Sequence, residues 1–276
     1  MGNMKNDRFT DYFNFDDIIN NCFLSVENKK NNYFLDYDSE EFFKKNLVTQ
    51  PEDWHYRTKE IAYNVNSYGY RTKEFNEIDW SESIVIFGCS NVFGIGLSED
   101  ETISYNISKL TGRYVVNLGF PGGSNYISYY NSLMIKKKYG IPYSVIFIWT
   151  NGDRYTYFTK EKLIHLGTWN YEIYTKINDK NKYTDEHKKW SIFYETLIGD
   201  SSHNIISNYF LLESIREFWK GKTKYSEGSF FDEYKNPHFS VPFIFNEHDY
   251  EHARDLGHPG RDINKIAAKI ITEDLK

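Results

Sequence analysis

Apolar residues gather into three short runs in the middle of the chain: residues 83–88 (Ser-Ile-Val-Ile-Phe-Gly), 114–118 and 143–149. Continuous apolar runs of this length are what a strand buried on both faces of a parallel sheet presents. Between them, residues 101–110 and 126–139 read as helices. Gly112 lies just past the first, and Gly140 and Pro142 follow the second, where these residue types commonly end helices. Strand, helix, strand, helix, strand with tight connections predicts βαβ units and a parallel sheet with right-handed crossovers. Further on, residues 203–220 have helical spacing, with Ile206, Tyr209, Phe210, Leu212, Ile215 and Phe218 along one face. Residues 163–175 read as a hairpin or an aromatic loop, 178–189 as a polar surface loop, and 241–245 as a late strand. A terminal amphipathic helix over 263–275 repeats Ile263, Ile266, Ala267, Ile270 and Ile271 at three- and four-residue spacing.

Upstream, residues 1–80 are irregular. Short helical patterns occur at 16–23 and 39–47, and Asn66-Ser67-Tyr68-Gly69-Tyr70 carries turn chemistry. This segment is expected to be an extension packed on a core domain of residues 81–276.

Composition narrows the class. The chain has 276 residues, 40% hydrophobic and 26% charged, with 24 Tyr and 21 Phe, which excludes a disordered chain. The abundance of Asn, Lys, Tyr and Ile reflects AT-rich coding and places aromatics where Leu and Ala are usual. A net charge of -6 without a basic tract speaks against nucleic-acid binding. No apolar run approaches the roughly 20 residues of a membrane helix, so no membrane span is expected. The first residues lack an apolar signal core, and Asn6 spoils a myristoylation match. Two cysteines, Cys22 and Cys89, fit a reducing, cytoplasmic compartment. Nothing in the sequence assigns an oligomeric state.

In an open parallel sheet, ligands bind at the carboxyl ends of strands. The first predicted strand ends in Gly88-Cys89-Ser90-Asn91, the second in Asn117 through Asn125, the third in Thr150-Asn151-Gly152-Asp153. Asp255-Leu256-Gly257-His258 precedes the last helix. A serine hydroxyl needs an adjacent base. His258 is placed to be that base, with Asp255 three residues earlier able to orient its ring. The backbone N–H groups of Ser90 and Gly122 and the Asn151 amide are candidate donors to an anionic oxygen.

In order and spacing these blocks resemble those of the SGNH (GDSL-type) hydrolases over about residues 81–276. The matched pieces are Gly88-Cys89-Ser90, Asn117 through Gly122, the stretch around Asn151, and Asp255 to His258. The resemblance implies a three-layer α/β/α sandwich with a mostly parallel sheet, flavodoxin-like. It also implies an ester hydrolase with a Ser90–His258–Asp255 triad, an oxyanion hole from Ser90, Gly122 and Asn151, and no cofactor. Cys89 stands where the family has Asp, and the third block lacks its flanking Gly and Asp. The expected partner is a small-molecule or glycan ester, with carbohydrate O-deacetylation as one form. The alternatives are a non-catalytic module that binds glycan or serves a structural role, and an O-acyltransferase using the same residues. Trp149, Trp169, Tyr171 and Tyr174 are candidates for stacking on sugars, with core packing as the default. The spacing of His248, His252 and His258 matches a zinc-protease pattern, but Asp249 replaces its Glu and no Met follows, so no metal is expected.

Overall fold

The computed structural model describes residues 17–19, 30–34, 38–158, 163–167, 185–198, 201–235, 237, 239–245 and 251–276. The chain enters through short elements. Strand β1 (Lys30–Asn31) pairs antiparallel with β2 (Tyr63–Asn64), and helix α1 (Glu40–Thr49) lies between them. The Ser39 side chain caps α1 by accepting the Phe42 N–H. Of the helical pattern at 16–23, Asp17, Ile18 and Ile19 are described and are not helical.

The βαβ region follows as β3 (Ile84–Gly88), the single turn α2 (Ser90–Phe93), α3 (Ile103–Thr111), β4 (Val115–Gly119), α4 (Asn125–Tyr139) and β5 (Ser144–Trp149). Then come an antiparallel hairpin of β6 (Tyr155–Phe158) and β7 (Leu163–Leu166), helices α5 (Asp185–Phe193) and α6 (Ser201–Trp219), strands β8 (Lys224–Ser229) and β9 (Phe243–Ile244), and α7 (Arg261–Asp274). Five strands form one parallel sheet in the order β4-β3-β5-β8-β9. The chain therefore steps from β3 to one side and returns across it to β5. The reversal point lies between β3 and β5, and in open parallel sheets ligands bind at the carboxyl ends of the strands at such a point.

Strand alternation divides the core. Val85, Phe87, Val116 and Phe147 face Ile127 and Ile135 of α4 and Leu212 and Ile215 of α6. Ile84, Ile86, Ile146 and Ile148 face Ile103 and Ile107 of α3 and Ile263, Ala267 and Ile271 of α7. The result is the α/β/α three-layer arrangement, and each fully buried Ile or Phe contributes about 1.5–3 kcal/mol. A third cluster joins Phe34, Trp54, Tyr56, Ile61, Tyr63 and Val65 to Phe93, Ile95, Leu97 and Ala253. Among the described residues, no helix is long and apolar enough to cross a membrane.

Several expectations change. Residues 185–189, read as loop, belong to α5; residues 178–184 lie outside the described set. Residues 163–166 form a strand, and 168–175 lie outside the described set. Helix α6 is turned relative to the predicted stripe: Ile206, Tyr209 and Phe210 are exposed, whereas Leu211, Leu212, Ile215 and Trp219 enter the core. Strand β8 was not expected, because its Lys-Tyr-Ser-Glu-Gly-Ser sequence is polar. Its buried Glu227 is instead neutralised by Arg216 and accepts hydrogen bonds from Trp149 Nε1 and the Tyr225 hydroxyl.

Candidate active site

Strand β3 ends at Gly88, Cys89 follows with φ -97 and ψ -149, and Ser90 is the first residue of α2. The turn is short: Phe93 N–H bonds Cys89 O at 3.0 Å and Gly94 N–H bonds Ser90 O at 2.9 Å. Ser90 is thus presented on a sharp strand-to-helix turn at the carboxyl end of β3, 7% exposed. It is not a helix cap, since Cys89 occupies that position and no side chain caps the turn. The Ser90 hydroxyl instead contacts Cys89 Sγ at 3.9 Å.

One neighbouring strand end is tied to this turn, and the next is anchored from elsewhere in the fold. The Phe120 N–H donates to Gly88 O at 2.8 Å, which sets the loop after β4 beside Ser90. In that loop Gly122 has φ +68, a left-handed conformation that explains glycine there irrespective of ligand. The loop after β5 is held by Asn125. Its Oδ1 accepts the Thr150 N–H at 2.9 Å, and its Nδ2 shares two N–H donors among Thr150 O, Asn208 Oδ1 and the Tyr234 hydroxyl. On the other side of half-buried Asn151, Gly152 gives its N–H to Glu233 Oε1 at 2.5 Å and accepts from Asn208 Nδ2 at 2.8 Å. Asn151 therefore lies between two anchored residues. Among the described residues, its side-chain amide and the N–H groups of Ser90 and Gly122 have no hydrogen-bond partner.

The fourth piece comes from the turn before α7. His258 Nδ1 and Asp255 Oδ2 are 2.5 Å apart, with the two side chains 14% and 3% exposed. The turn closes through Ala253 N–H to His258 O and Leu256 N–H to Ala253 O, both 2.9 Å. It packs on the loop that leaves α2: Arg254 N–H donates to Gly96 O at 3.0 Å. Gly96 has φ +73, and a Cβ there would lie 2.8 Å from both Ala253 Cβ and Asp255 Oδ1. The helix itself is capped at Gly260, so Asp255 is not its cap, and Pro259 precedes the cap instead of occupying the first helical position.

Electrostatics link the two halves. Burial lowers the basicity of the His258 imidazole, but the Asp255 charge and hydrogen bond outweigh it, helped by Cys89, so its pKa lies above the usual histidine value. Burial raises the Cys89 thiol, yet Arg154, the Thr150 hydroxyl, the Asn91 N–H and His258 together bring it below the usual thiol value. Ser90 and His258 thus stand at one end of the sheet. Among the described residues, no hydrogen bond joins Ser90 Oγ to the imidazole.

Asn125, Asn208, Glu233 and Tyr234, which fix the Asn151 loop, were missed from sequence; only Asn125, next to a Gly-Gly-Ser turn, carries a local signal. Trp149 is a core residue, 1% exposed, and not a stacking platform. Trp169, Tyr171, Tyr174, His248 and Cys22 lie outside the described residues. Among the described residues, no group of His, Cys, Asp and Glu is arranged to hold a metal ion.

No protein-family model matches the chain, and no curated protein sequence matches it. Among solved structures, it is similar to a protein from Desulfitobacterium hafniense DCB-2 described as a putative lipolytic protein of the G-D-S-L family. That match has a TM-score of 0.40 and 11% identity, and covers 70% of this chain and 99% of that one.

Proposed function

We propose that the protein hydrolyses carboxylic esters through a Ser90 acyl-enzyme. The observation that carries this reading is the Asp255–His258 pair, packed through Gly96 against the loop that leaves the Ser90 turn. With Nδ1–H donated to Asp255, His258 keeps the Nε2 lone pair to receive a proton. Ser90 Oγ attacks the ester carbonyl carbon and its proton passes to Nε2. The resulting oxyanion is received by the N–H groups of Ser90 and Gly122 and by the Asn151 amide. Collapse breaks the bond to the alcohol, which leaves with the proton from His258. Water, activated by the same imidazole, then releases the acid and restores Ser90. The Oγ–Nε2 hydrogen bond forms as substrate binds, since catalytic hydrogen bonds often tighten only in the complex.

Cys89 is 1% exposed, which favours its neighbour Ser90 as the nucleophile. The test is fluorophosphonate labelling. A covalent adduct on Ser90 that is lost in Ser90→Ala and kept in Cys89→Ser supports the reading; an adduct that persists in Ser90→Ala refutes it. Product analysis with p-nitrophenyl acetate and acetylated sugars then separates hydrolysis from transfer.

A further inference from the structure

The segment before the sheet reaches the candidate base through one closed hydrogen-bonded ring. Asp38 is 1% exposed and receives the Arg254 guanidinium in a two-pronged pair, Nε to Oδ1 at 2.9 Å and Nη2 to Oδ2 at 2.6 Å. The Tyr63 hydroxyl donates to Asp38 Oδ2 and accepts the Gly96 N–H at 2.7 Å. Gly96 O then accepts the Arg254 N–H at 3.0 Å, which returns the ring to its start. Two of its members matter to the candidate site. Gly96 belongs to the loop leaving α2, and Arg254 is covalently next to Asp255.

Other contacts point the same way. Asn46 of α1 donates to Arg254 O at 3.0 Å, and Arg254 Nη2 donates to Asn32 O at 2.6 Å. The guanidinium lies 4.9 Å from the Tyr33 ring and 5.2 Å from that of Phe43. Leu256, inside the Asp-x-x-His turn, has φ +59 and packs on the Tyr56, Ile61 and Tyr63 cluster. A bulky residue in the left-handed region persists only where its surroundings impose it. The surroundings here combine residues of the N-terminal segment with Phe93, Ile95 and Leu97 from α2 and the loop that leaves it.

We propose that Asp38 and Tyr63 are positioning residues for His258: through Arg254 and Gly96 they set the Asp255–His258 turn against the Ser90 turn. This rests on the esterase reading of Ser90 and His258. A buried two-pronged pair suits the task because the planar guanidinium fixes direction as well as distance.

The experiment compares wild type, Asp38→Asn and Tyr63→Phe as full-length protein. His258 is titrated by NMR, and p-nitrophenyl acetate hydrolysis is followed against pH. The charged and titratable groups facing His258 are Asp255, Cys89 and Arg154, and those facing Asp38 are Arg254, Tyr63 and Asp255. All are retained in both variants apart from the residue changed. Loosening the turn weakens the Asp255 hydrogen bond, so the His258 titration and the acid limb of kcat/KM move to lower pH. The same loosening lowers kcat about 10–100-fold with KM little changed. A purely structural role scales the amplitude and leaves the limb in place, and that result overturns the proposal. Should Asp38→Asn fail to fold, Tyr63→Phe, which keeps the ion pair, decides by the same limb. The NMR titration needs no turnover: wild-type protein inert to ester and fluorophosphonate defeats the esterase reading alone, whereas identical His258 titrations in all three proteins defeat the positioning role.

Discussion

Asn125→Ala tests how the loop carrying Asn151 is held. In the native protein the Asn125 side chain accepts the Thr150 N–H at 2.9 Å and shares its two amide N–H donors among Thr150 O at 3.1 Å, Asn208 Oδ1 at 2.9 Å and the Tyr234 hydroxyl at 2.9 Å. Alanine leaves the Thr150 N–H and Asn208 Oδ1 buried without these partners. Thr150 O retains the Tyr234 hydroxyl at 2.7 Å and is not stranded. Each stranded buried group costs about 1–3 kcal/mol, so the two together give about 2–6 kcal/mol. Water entering the space of the lost amide offsets part of this, and about 3 kcal/mol is expected. Urea unfolding reads the loss as a lower midpoint at unchanged m. If Asn151 receives the oxyanion, kcat falls as well, toward the roughly 100–1000-fold loss typical of removing one such donor. A stability change below about 0.5 kcal/mol, the size of an ordinary surface substitution, refutes the argument that this amide anchors the loop.

Other perturbations probe the remaining parts. Asp255→Asn removes the charge that raises His258 and favours the wrong tautomer, so kcat should fall about 10,000-fold, measured by ester hydrolysis at saturating substrate. In wild type, neutral His258 is the active form, so kcat/KM should rise with pH through a value above 6.5; a midpoint below 6.5 contradicts the Asp255 assignment. Gly96→Ala places a methyl group against Ala253 and Asp255 at φ +73 and should cost about 1–3 kcal/mol in urea unfolding, together with slower Ser90 labelling. His165 is held neutral by burial, its pKa lowered to about 4. The unfolded chain therefore binds its proton first, and stability should drop by up to about 3 kcal/mol as pH falls from 6.5 to 4. Replacement by Phe should flatten that part of the stability–pH curve.

Much of the sheet was legible because its signal is local. The runs that form β3, β4 and β5 are apolar at all but Asn117 and Ser144, and such near-continuous runs suit burial on both faces. The Asp255–His258 spacing was legible for the same reason, since three residues of turn suffice to join the two side chains. Strand β8 was not, because its polar Glu227 is satisfied in the core only when Arg216 of the preceding helix and Trp149, 78 residues away, both reach it. The phase of α6 was hidden too. Ile206, Tyr209 and Phe210 are as apolar as the residues that enter the core, and only the position of the sheet selects among them.

The sequence by itself determined the parallel α/β sheet and the residue types at its carboxyl edge, because periodicity and turn chemistry act between neighbours. Tertiary structure alone decided that Asp38 meets Arg254, that Tyr63 bridges to Gly96, and that Asn125 holds the Asn151 loop. Those pairings join residues far apart in the chain. A buried charge or amide carries no mark of its partner until the fold removes water and leaves one donor or acceptor within reach.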